Sequence, residues 1–230
     1  MRSLLYLPVI HVGSDMGSLA KPLGSRRLDV MGRERWELHQ QVITRYWQQV
    51  ETWCLSLEAP LLAIYQDGLL ADGDLGRKII QENAAKGSVN FGIVNRLMEK
   101  GAKIRKTEDV LLLKEEYSRA LRQAQTPSPW DRMTACVGCR FDKDDLMERR
   151  DHYIAQTINR TLSIDEIGLL FIGAFHDIIP ILADDISVHE IKNRHQIMAY
   201  YHELLTGRDD RQVRILAEYL NAPIFGEPKS

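Results

Sequence analysis

Two histidines and an aspartate stand just after three apolar segments of this sequence: His11, Asp67 and His176. Two imidazoles and a carboxylate can bind a divalent metal ion, or can act as a proton-transferring base with its orienting acid. We therefore take His11, His176 and Asp67 as candidate catalytic residues, and the two histidines also as candidate metal ligands. Capping of helices and turns is the alternative role for each residue.

Two adjacent arginines, Arg149 and Arg150, lie in a helical segment before the third apolar run. Apolar residues recur there at helical spacing, so Arg150 falls on or beside the buried face and Arg149 one step further round. A buried guanidinium needs an acid or a bound anion, because an unpaired buried charge is costly. Arg150, with Arg149 as the alternative, is therefore the predicted anion-binding residue; a structural ion pair is the other explanation.

The sequence also contains a lone Cys-x-x-Cys pair, Cys136 and Cys139. Zinc would need two further ligands, and a redox pair normally opens a helix after a strand. This pair follows a proline-containing stretch instead. Incidental or weakly structural thiols are the favoured interpretation, and a metal or redox role is the alternative.

Apolar runs without polar alternation are separated by long amphipathic segments throughout the chain. Such runs predict the strands of a parallel sheet buried on both faces, and the amphipathic segments predict the helices that cover it. The expected fold is a three-layer α/β domain with a mainly parallel sheet and helices on both faces. Ligands of such sheets bind beyond the carboxyl ends of the strands, where the candidate residues stand.

The bounds of the individual strands and helices are predicted from the spacing of the apolar residues and from the glycine and proline residues that end these segments. The predicted strands cover residues 4–10, 61–65, 102–105, 167–173 and 186–188. The predicted helices cover residues 33–57, 74–86, 88–100, 107–125, 142–161, 189–206 and 210–221. Thr107 is the expected N-cap of its helix. Pro8 cannot donate to a strand ladder, so the first strand is expected near an edge or with a bulge.

The length of 230 residues, with 44% hydrophobic and 27% charged residues, suits a single globular domain over residues 1–230. The irregular stretch 126–141 is the expected flexible flap. A homo-oligomer could form through the Trp-rich helix 33–57, whose aromatic stripe suits a core or an interface.

Charge and hydropathy narrow the expected partners and location. The formal net charge is −2, with both signs interspersed, which argues against nucleic acid and anionic membranes as partners. No apolar run approaches the roughly 18 residues of a spanning helix. No secretory leader is evident, and three cysteines do not make a disulfide framework. A cytoplasmic location and a small-molecule ligand or substrate are therefore expected.

Residues 173–176 read Gly-Ala-Phe-His, which is a Gly-x-x-His motif after an apolar strand. The predicted helix that contains Arg150 and Asp151 precedes this strand. With an opening strand that ends in His11, these motifs resemble the superfamily of TraB/PrgY, ChaN, Tiki and erythromycin-esterase-like proteins. The resemblance implies an α/β core with two Gly-x-x-His motifs and an arginine-bearing helix, and the metal-dependent hydrolysis found in some members. This sequence has Pro8 in place of the first glycine, and Gln66-Asp67 in place of the acidic residue after the second strand.

Two functions follow as hypotheses. The first is a hydrolase-like site at the C-terminal strand ends, assisted by a divalent metal ion that lowers the pKa of a bound water. The second is a non-catalytic ligand-sensing or protein-interaction module that binds an anionic small molecule. Turnover, as opposed to binding alone, distinguishes them.

Overall fold

The computed structural model of the chain describes residues 1–10, 31–125, 145–207 and 209–224. Its strands are β1 (Arg2–Val9), β2 (Leu62–Gln66), β3 (Lys103–Arg105), β4 (Ile167–Gly173) and β5 (Ile186–Glu190). They form one sheet in the order β3-β2-β4-β1-β5, and every neighbouring pair is parallel. The prediction of a parallel sheet is confirmed.

The helices are α1 (Arg33–Ser56), α2 (Gly73–Ala85), α3 (Val89–Glu99), α4 (Val110–Gln125), α5 (Asp145–Thr161), α6 (Arg194–Thr206) and α7 (Asp210–Asn221). Short 3-10 turns occur at Ala59–Leu61 and Ile179–Ile181. In the described part of the chain, no helix combines the length and the apolar composition needed to cross a membrane.

The sheet separates two apolar layers, because successive side chains of a strand point to opposite faces. Leu5 and Leu7 of β1 pack with residues of α1, α2, α3, α6 and α7. Leu4 and Tyr6 of the same strand pack with residues of α5 on the opposite face. This is the expected three-layer α/β fold with helices on both faces.

Pro8 occupies an interior strand and is tolerated there because of the sheet register. The pairing of β1 with β5 ends at Tyr6, opposite Glu190. Pro8 pairs only with Ile172 of β4, so it has a strand neighbour on one side only. A missing N–H is acceptable at such a position.

The largest disagreement with the predicted elements concerns residues 189–193. The sequence predicts helix there, whereas β5 continues to Glu190 and α6 begins at Arg194. Asn193 is the N-cap of α6, since its side chain accepts the N–H of Gln196 at 3.1 Å. Polar residues at the end of an exposed edge strand resemble the solvent face of a helix. The spacing of polar and apolar residues therefore predicts a helix at these positions.

The cap of α4 is Asp109 and not Thr107. The Asp109 carboxylate accepts the N–H groups of Leu111 at 2.8 Å and Leu112 at 3.1 Å. The Thr107 hydroxyl instead accepts the N–H of Gln66 at 3.0 Å and donates to the carbonyl of Arg105, the last residue of β3, at 3.0 Å. Thr107 therefore joins the ends of two neighbouring strands, and Glu108 beside it is completely buried.

Some predicted features lie in parts of the chain that the structure does not describe. The predicted flap at 126–141, with Cys136 and Cys139, lies outside the described residues. Trp47 and Trp53 of α1 are buried in the domain's own core. An oligomer through helix 33–57 stays a prediction.

Candidate functional site

Acidic and imidazole side chains follow three neighbouring strands at one edge of the sheet. Glu108 comes after β3, Asp67 directly after β2 and His176 after β4. The carboxyl ends of parallel strands meet at the same edge, so these residues lie together although the chain separates them widely. His11, the candidate after β1, lies outside the described residues, and its approach to His176 stays a prediction.

The Arg150 guanidinium joins the acids of this cluster. Its side chain on α5 is 3% exposed and contacts three carboxylates. Nη2 donates to Asp67 at 2.9 Å and to Glu108 at 2.5 Å. Nη1 lies 2.6 Å from a carboxylate oxygen of Glu116, which belongs to α4. The structural ion pair named as the alternative role of Arg150 is therefore present.

The predicted role of Arg150 or Arg149 as an anion clamp stays a prediction. The guanidinium of Arg150 already has three acidic partners among the described residues. Arg149 is 48% exposed and pairs with Glu115 at 3.3 Å and Asp145 at 3.6 Å. An anion would have to compete with carboxylates at either arginine.

Asp151, next to Arg150 on α5, orients His176. Its Oδ1 accepts a hydrogen bond from Nδ1 of the imidazole, and its Oδ2 accepts the N–H of Asp177 at 2.8 Å. Both partners are buried, with side chains 7% and 5% exposed. A carboxylate that contacts both the ring and the following peptide fixes the imidazole plane and directs Nε2 away from α5.

Nε2 of His176 faces Asp67, with 3.8 Å between that nitrogen and Oδ2. The same Asp67 oxygen accepts the backbone N–H of Gly173 at 3.2 Å, while its Oδ1 accepts from Arg150. Asp67 is therefore fixed by an arginine and a strand end. The result is a buried row of carboxylate, imidazole and carboxylate: Asp151, His176 and Asp67.

The surroundings of His176 favour the protonated ring. Burial alone lowers its pKa, but the hydrogen bond to Asp151 and the charge of Asp67 outweigh burial, and the pKa is raised above the ordinary histidine value. Arg150 opposes this rise. A buried imidazole that lies between two carboxylates can bind and release a proton at Nε2, which is the requirement for a general acid and base.

Glu108 is an acid whose pKa lies well above the ordinary glutamate value. Burial raises its pKa, the neighbouring Asp67 raises it further, and Arg150 lowers it, with a net pKa of about 7. The folded protein therefore binds a proton at Glu108 more tightly than the unfolded chain does. By linkage, ionisation of Glu108 costs stability as the pH rises from the ordinary glutamate pKa to about 7.

We expect Glu108→Gln to become more stable relative to the wild type as the pH rises through this interval. Below the ordinary glutamate pKa, the protonated acid and the amide are nearly equivalent, so the two proteins should differ least there. Above pH 7 the wild type must hold a buried carboxylate that the variant lacks. Urea denaturation of both proteins between about pH 4.5 and 8 measures the difference in unfolding free energy.

Glu166→Gln provides a control of opposite sign. Burial raises the pKa of Glu166, but hydrogen bonds from Lys103 and the charge of Arg105 outweigh burial and lower it. Ionised Glu166 therefore stabilises the fold, and this contribution is lost only below the ordinary glutamate pKa. Between about pH 4.5 and 8, Glu166→Gln should be less stable than the wild type by an amount that stays constant. A stability difference that does not change with pH in the Glu108 variant would contradict the assignment of its raised pKa.

Metal binding is not established by the described residues. No group of three or more His, Cys, Asp or Glu side chains within the described ranges is arranged to hold a metal ion. His176 nevertheless has the carboxylate behind Nδ1 that metal-binding histidines usually have. The metal role of His11 and His176 stays a prediction.

Three members of the site were not selected from the sequence: Asp151, Glu108 and Glu116. Asp151 follows Arg150 directly, and two neighbouring helix residues can both reach the end of a sheet that the helix crosses, so its position was an available signal. Glu108 follows the third apolar strand, as Asp67 follows the second. Its assignment to the first turn of a helix concealed that parallel.

The sequence matches no family model, and searches of curated proteins and of solved structures return no significant match.

Proposed function

We propose that this chain is a hydrolase whose reaction takes place at the carboxyl ends of β2 and β4. His176 is the group that transfers protons, Asp151 orients it, and Asp67 is the second carboxylate at the reacting centre. The observation that supports the proposal best is the buried row of Asp151, His176 and Asp67, in which Nε2 of the imidazole lies 3.8 Å from Asp67.

Each residue of the row has a separate chemical task. Asp151 accepts the Nδ1 proton, so Nε2 is the ring atom that exchanges a proton with the reactants. Neutral His176 takes a proton from an attacking water, and the imidazolium then returns it to the leaving group. Asp67 stabilises the imidazolium between these steps, and Arg150 keeps that carboxylate in place.

The charge of the cluster favours a substrate that is neutral at the reacting bond. The described part of the site contains more carboxylates than cations, because three acids surround Arg150 and a further acid contacts His176. A phosphate or carboxylate ligand would enter a region of negative potential. Esters and amides therefore fit better than phosphoesters, and the anion-sensing alternative is disfavoured.

The superfamily of TraB/PrgY, ChaN, Tiki and erythromycin-esterase-like proteins, which the motifs resemble, supports the same class of reaction. It also supports the metal-assisted form of the proposal, with His11 and His176 as ligands. A divalent ion at these residues would lower the pKa of a bound water and so supply hydroxide near neutral pH.

The proposal is tested with a neutral ester, a neutral amide and an anionic phosphodiester: p-nitrophenyl acetate, an alanine p-nitroanilide and bis(p-nitrophenyl) phosphate. Release of the yellow product is followed for the wild type and for Asp151→Asn, with and without added Zn²⁺ or Mn²⁺. We expect turnover of the ester or amide in preference to the phosphodiester. Loss of the orienting carboxylate should lower kcat by about 10²-fold.

Asp145→Asn is the matched control, since Asp145 lies on the same helix with its side chain 79% exposed. This control should keep the wild-type rate. Absence of turnover with all three compounds under every metal condition argues against the proposed reaction class. Equal rates in Asp151→Asn and the wild type would remove the Asp151–His176 pair from the mechanism.

A further inference from the structure

The turn that presents His176 is held at several points besides the imidazole. The His176 N–H donates to the carbonyl of Gly173 at 3.1 Å, closing the turn after β4. Its carbonyl oxygen accepts from the hydroxyl of Tyr6 at 3.3 Å and from Nη1 of Arg194 at 2.7 Å. The orientation of this peptide group determines where the ring can lie relative to Asp151.

Arg194 contacts both residues at the end of the turn. While Nη1 donates to the His176 carbonyl, Nη2 donates to the Asp177 carboxylate at 2.6 Å. The Asp177 N–H is itself bonded to Asp151. The planar fork of an arginine can bind a carbonyl and a carboxylate at once, which a lysine ammonium cannot reproduce with the same geometry.

The position of Arg194 is fixed by its contact with β5, the edge strand that pairs with β1. Arg194 is the first residue of α6, and its backbone N–H donates to a carboxylate oxygen of Glu190 at 3.0 Å. Glu190 is the last residue of β5 and pairs with Tyr6 of β1. Arg194 and Tyr6, the two donors to the His176 carbonyl, are therefore placed by one strand pair.

We infer that Arg194 is a positioning residue for His176: it fixes the peptide between residues 176 and 177, so that Nδ1 stays on Asp151 and Nε2 faces Asp67. The inference rests on the proposed function. Arg194 does not touch the reacting centre through its own described contacts, which are with a backbone carbonyl, Asp177 and Glu190.

Arg35 offers a matched control of the same chemistry. It also combines one carboxylate, Asp210 at 2.7 Å, with backbone carbonyls, of which the nearest is that of Gly207 at 2.9 Å. Its contacts join α1 to the connection between α6 and α7. Loss of Arg35 should therefore affect stability in a similar way without acting on His176.

The experiment measures the ¹⁵N chemical shifts of the His176 imidazole in uniformly labelled wild type, Arg194→Met and Arg35→Met at one pH. The signals are assigned by their absence in His176→Asn. We expect Arg194→Met to move the Nδ1 shift toward that of exposed His195, because the ring no longer has a fixed partner. Arg35→Met should leave both ring shifts unchanged.

Turnover of the hydrolysed compound provides a second measurement on the same proteins. Arg194→Met should lower kcat by about 10- to 100-fold with little change in KM, because a small displacement of a catalytic group affects the chemical step more than binding. If Arg194→Met does not fold, the same measurements on Arg194→Lys test the inference. It keeps the charge but not the fork, and we expect a smaller displacement of the Nδ1 shift in the same direction.

Unchanged His176 shifts in a folded Arg194→Met, or in Arg194→Lys if only that variant folds, would overturn the inference. Equal displacement in Arg35→Met would also overturn it, since the effect would then be one of general destabilisation. The shifts do not depend on turnover. A protein that hydrolyses nothing, yet shows the expected shift change, refutes the proposed function and leaves the positioning by Arg194 supported.

Discussion

Arg150→Met is expected to lower the unfolding free energy by about 3–5 kcal/mol at neutral pH, because it leaves acidic groups in the interior without their cation. Glu108 is fully buried and Asp67 is 12% exposed, so solvent cannot replace the lost guanidinium at either carboxylate. Burial lowers the pKa of Arg150, but Asp67 and Glu108 outweigh burial and raise it, so the arginine stays charged at every accessible pH. Urea denaturation of the variant and the wild type measures the loss.

Arg149→Met is the control for this change, since it removes the neighbouring arginine of the same helix. That side chain is half exposed and its ion pairs are at the surface, so we expect a loss within about 0.5 kcal/mol. Adding Glu108→Gln to Arg150→Met should restore part of the stability, since one uncompensated acid is removed. Similar losses from the two arginines would contradict the description of Arg150 as the centre of the acidic cluster.

The layers of this fold were predictable because its three central strands, β1, β2 and β4, are buried on both faces. The strand at residues 167–173 is predicted with the bounds of β4, since it is a continuous apolar run between polar segments. The predicted strand at 186–188 is shorter than β5, because the end of this edge strand carries polar residues that also suit a helix. The spacing of apolar residues separates strands from helices well where the element is buried, and poorly at an exposed edge strand.

The candidate site was predictable only as a set of strand ends. Asp67 and His176 follow parallel strands, and their meeting is a consequence of the fold class. The partners of Arg150 were not predictable, because Asp67 and Glu108 are separated from it by 83 and 42 positions. Pairing at such distances depends on the strand order, which periodicity does not contain.

The contact of Arg194 with His176 was also not predictable from the sequence, although fewer positions separate these two residues. It is only 18 positions from His176, but the sequence places it inside a predicted helix that begins at residue 189. Its role depends on where α6 begins, since the first residue of a helix that follows an edge strand faces the ends of the neighbouring strands. An error of a few residues at one boundary was sufficient to conceal this contact.

His176→Ala is expected to lower kcat for the hydrolysed compound by about 10³- to 10⁴-fold, because it removes the group that exchanges protons with the reactants. The loss should exceed that of Asp151→Asn, which keeps the imidazole and changes only its orientation. Initial rates at saturating substrate measure both variants, and circular dichroism establishes that each is folded. His195→Ala, at an exposed position of α6, should keep the wild-type rate.

Metal analysis of the wild type, His176→Ala and His195→Ala separates the metal-assisted form of the mechanism from the metal-free form. If His176 is a metal ligand, mass spectrometry should find a divalent ion in the wild type and in His195→Ala, and a reduced amount in His176→Ala. The wild type could instead turn over substrate with no bound metal and lose this activity in His176→Ala. The imidazole and its two carboxylates would then transfer the proton without a metal ion. An active His176→Ala protein would exclude both forms, because each requires this ring at the end of β4.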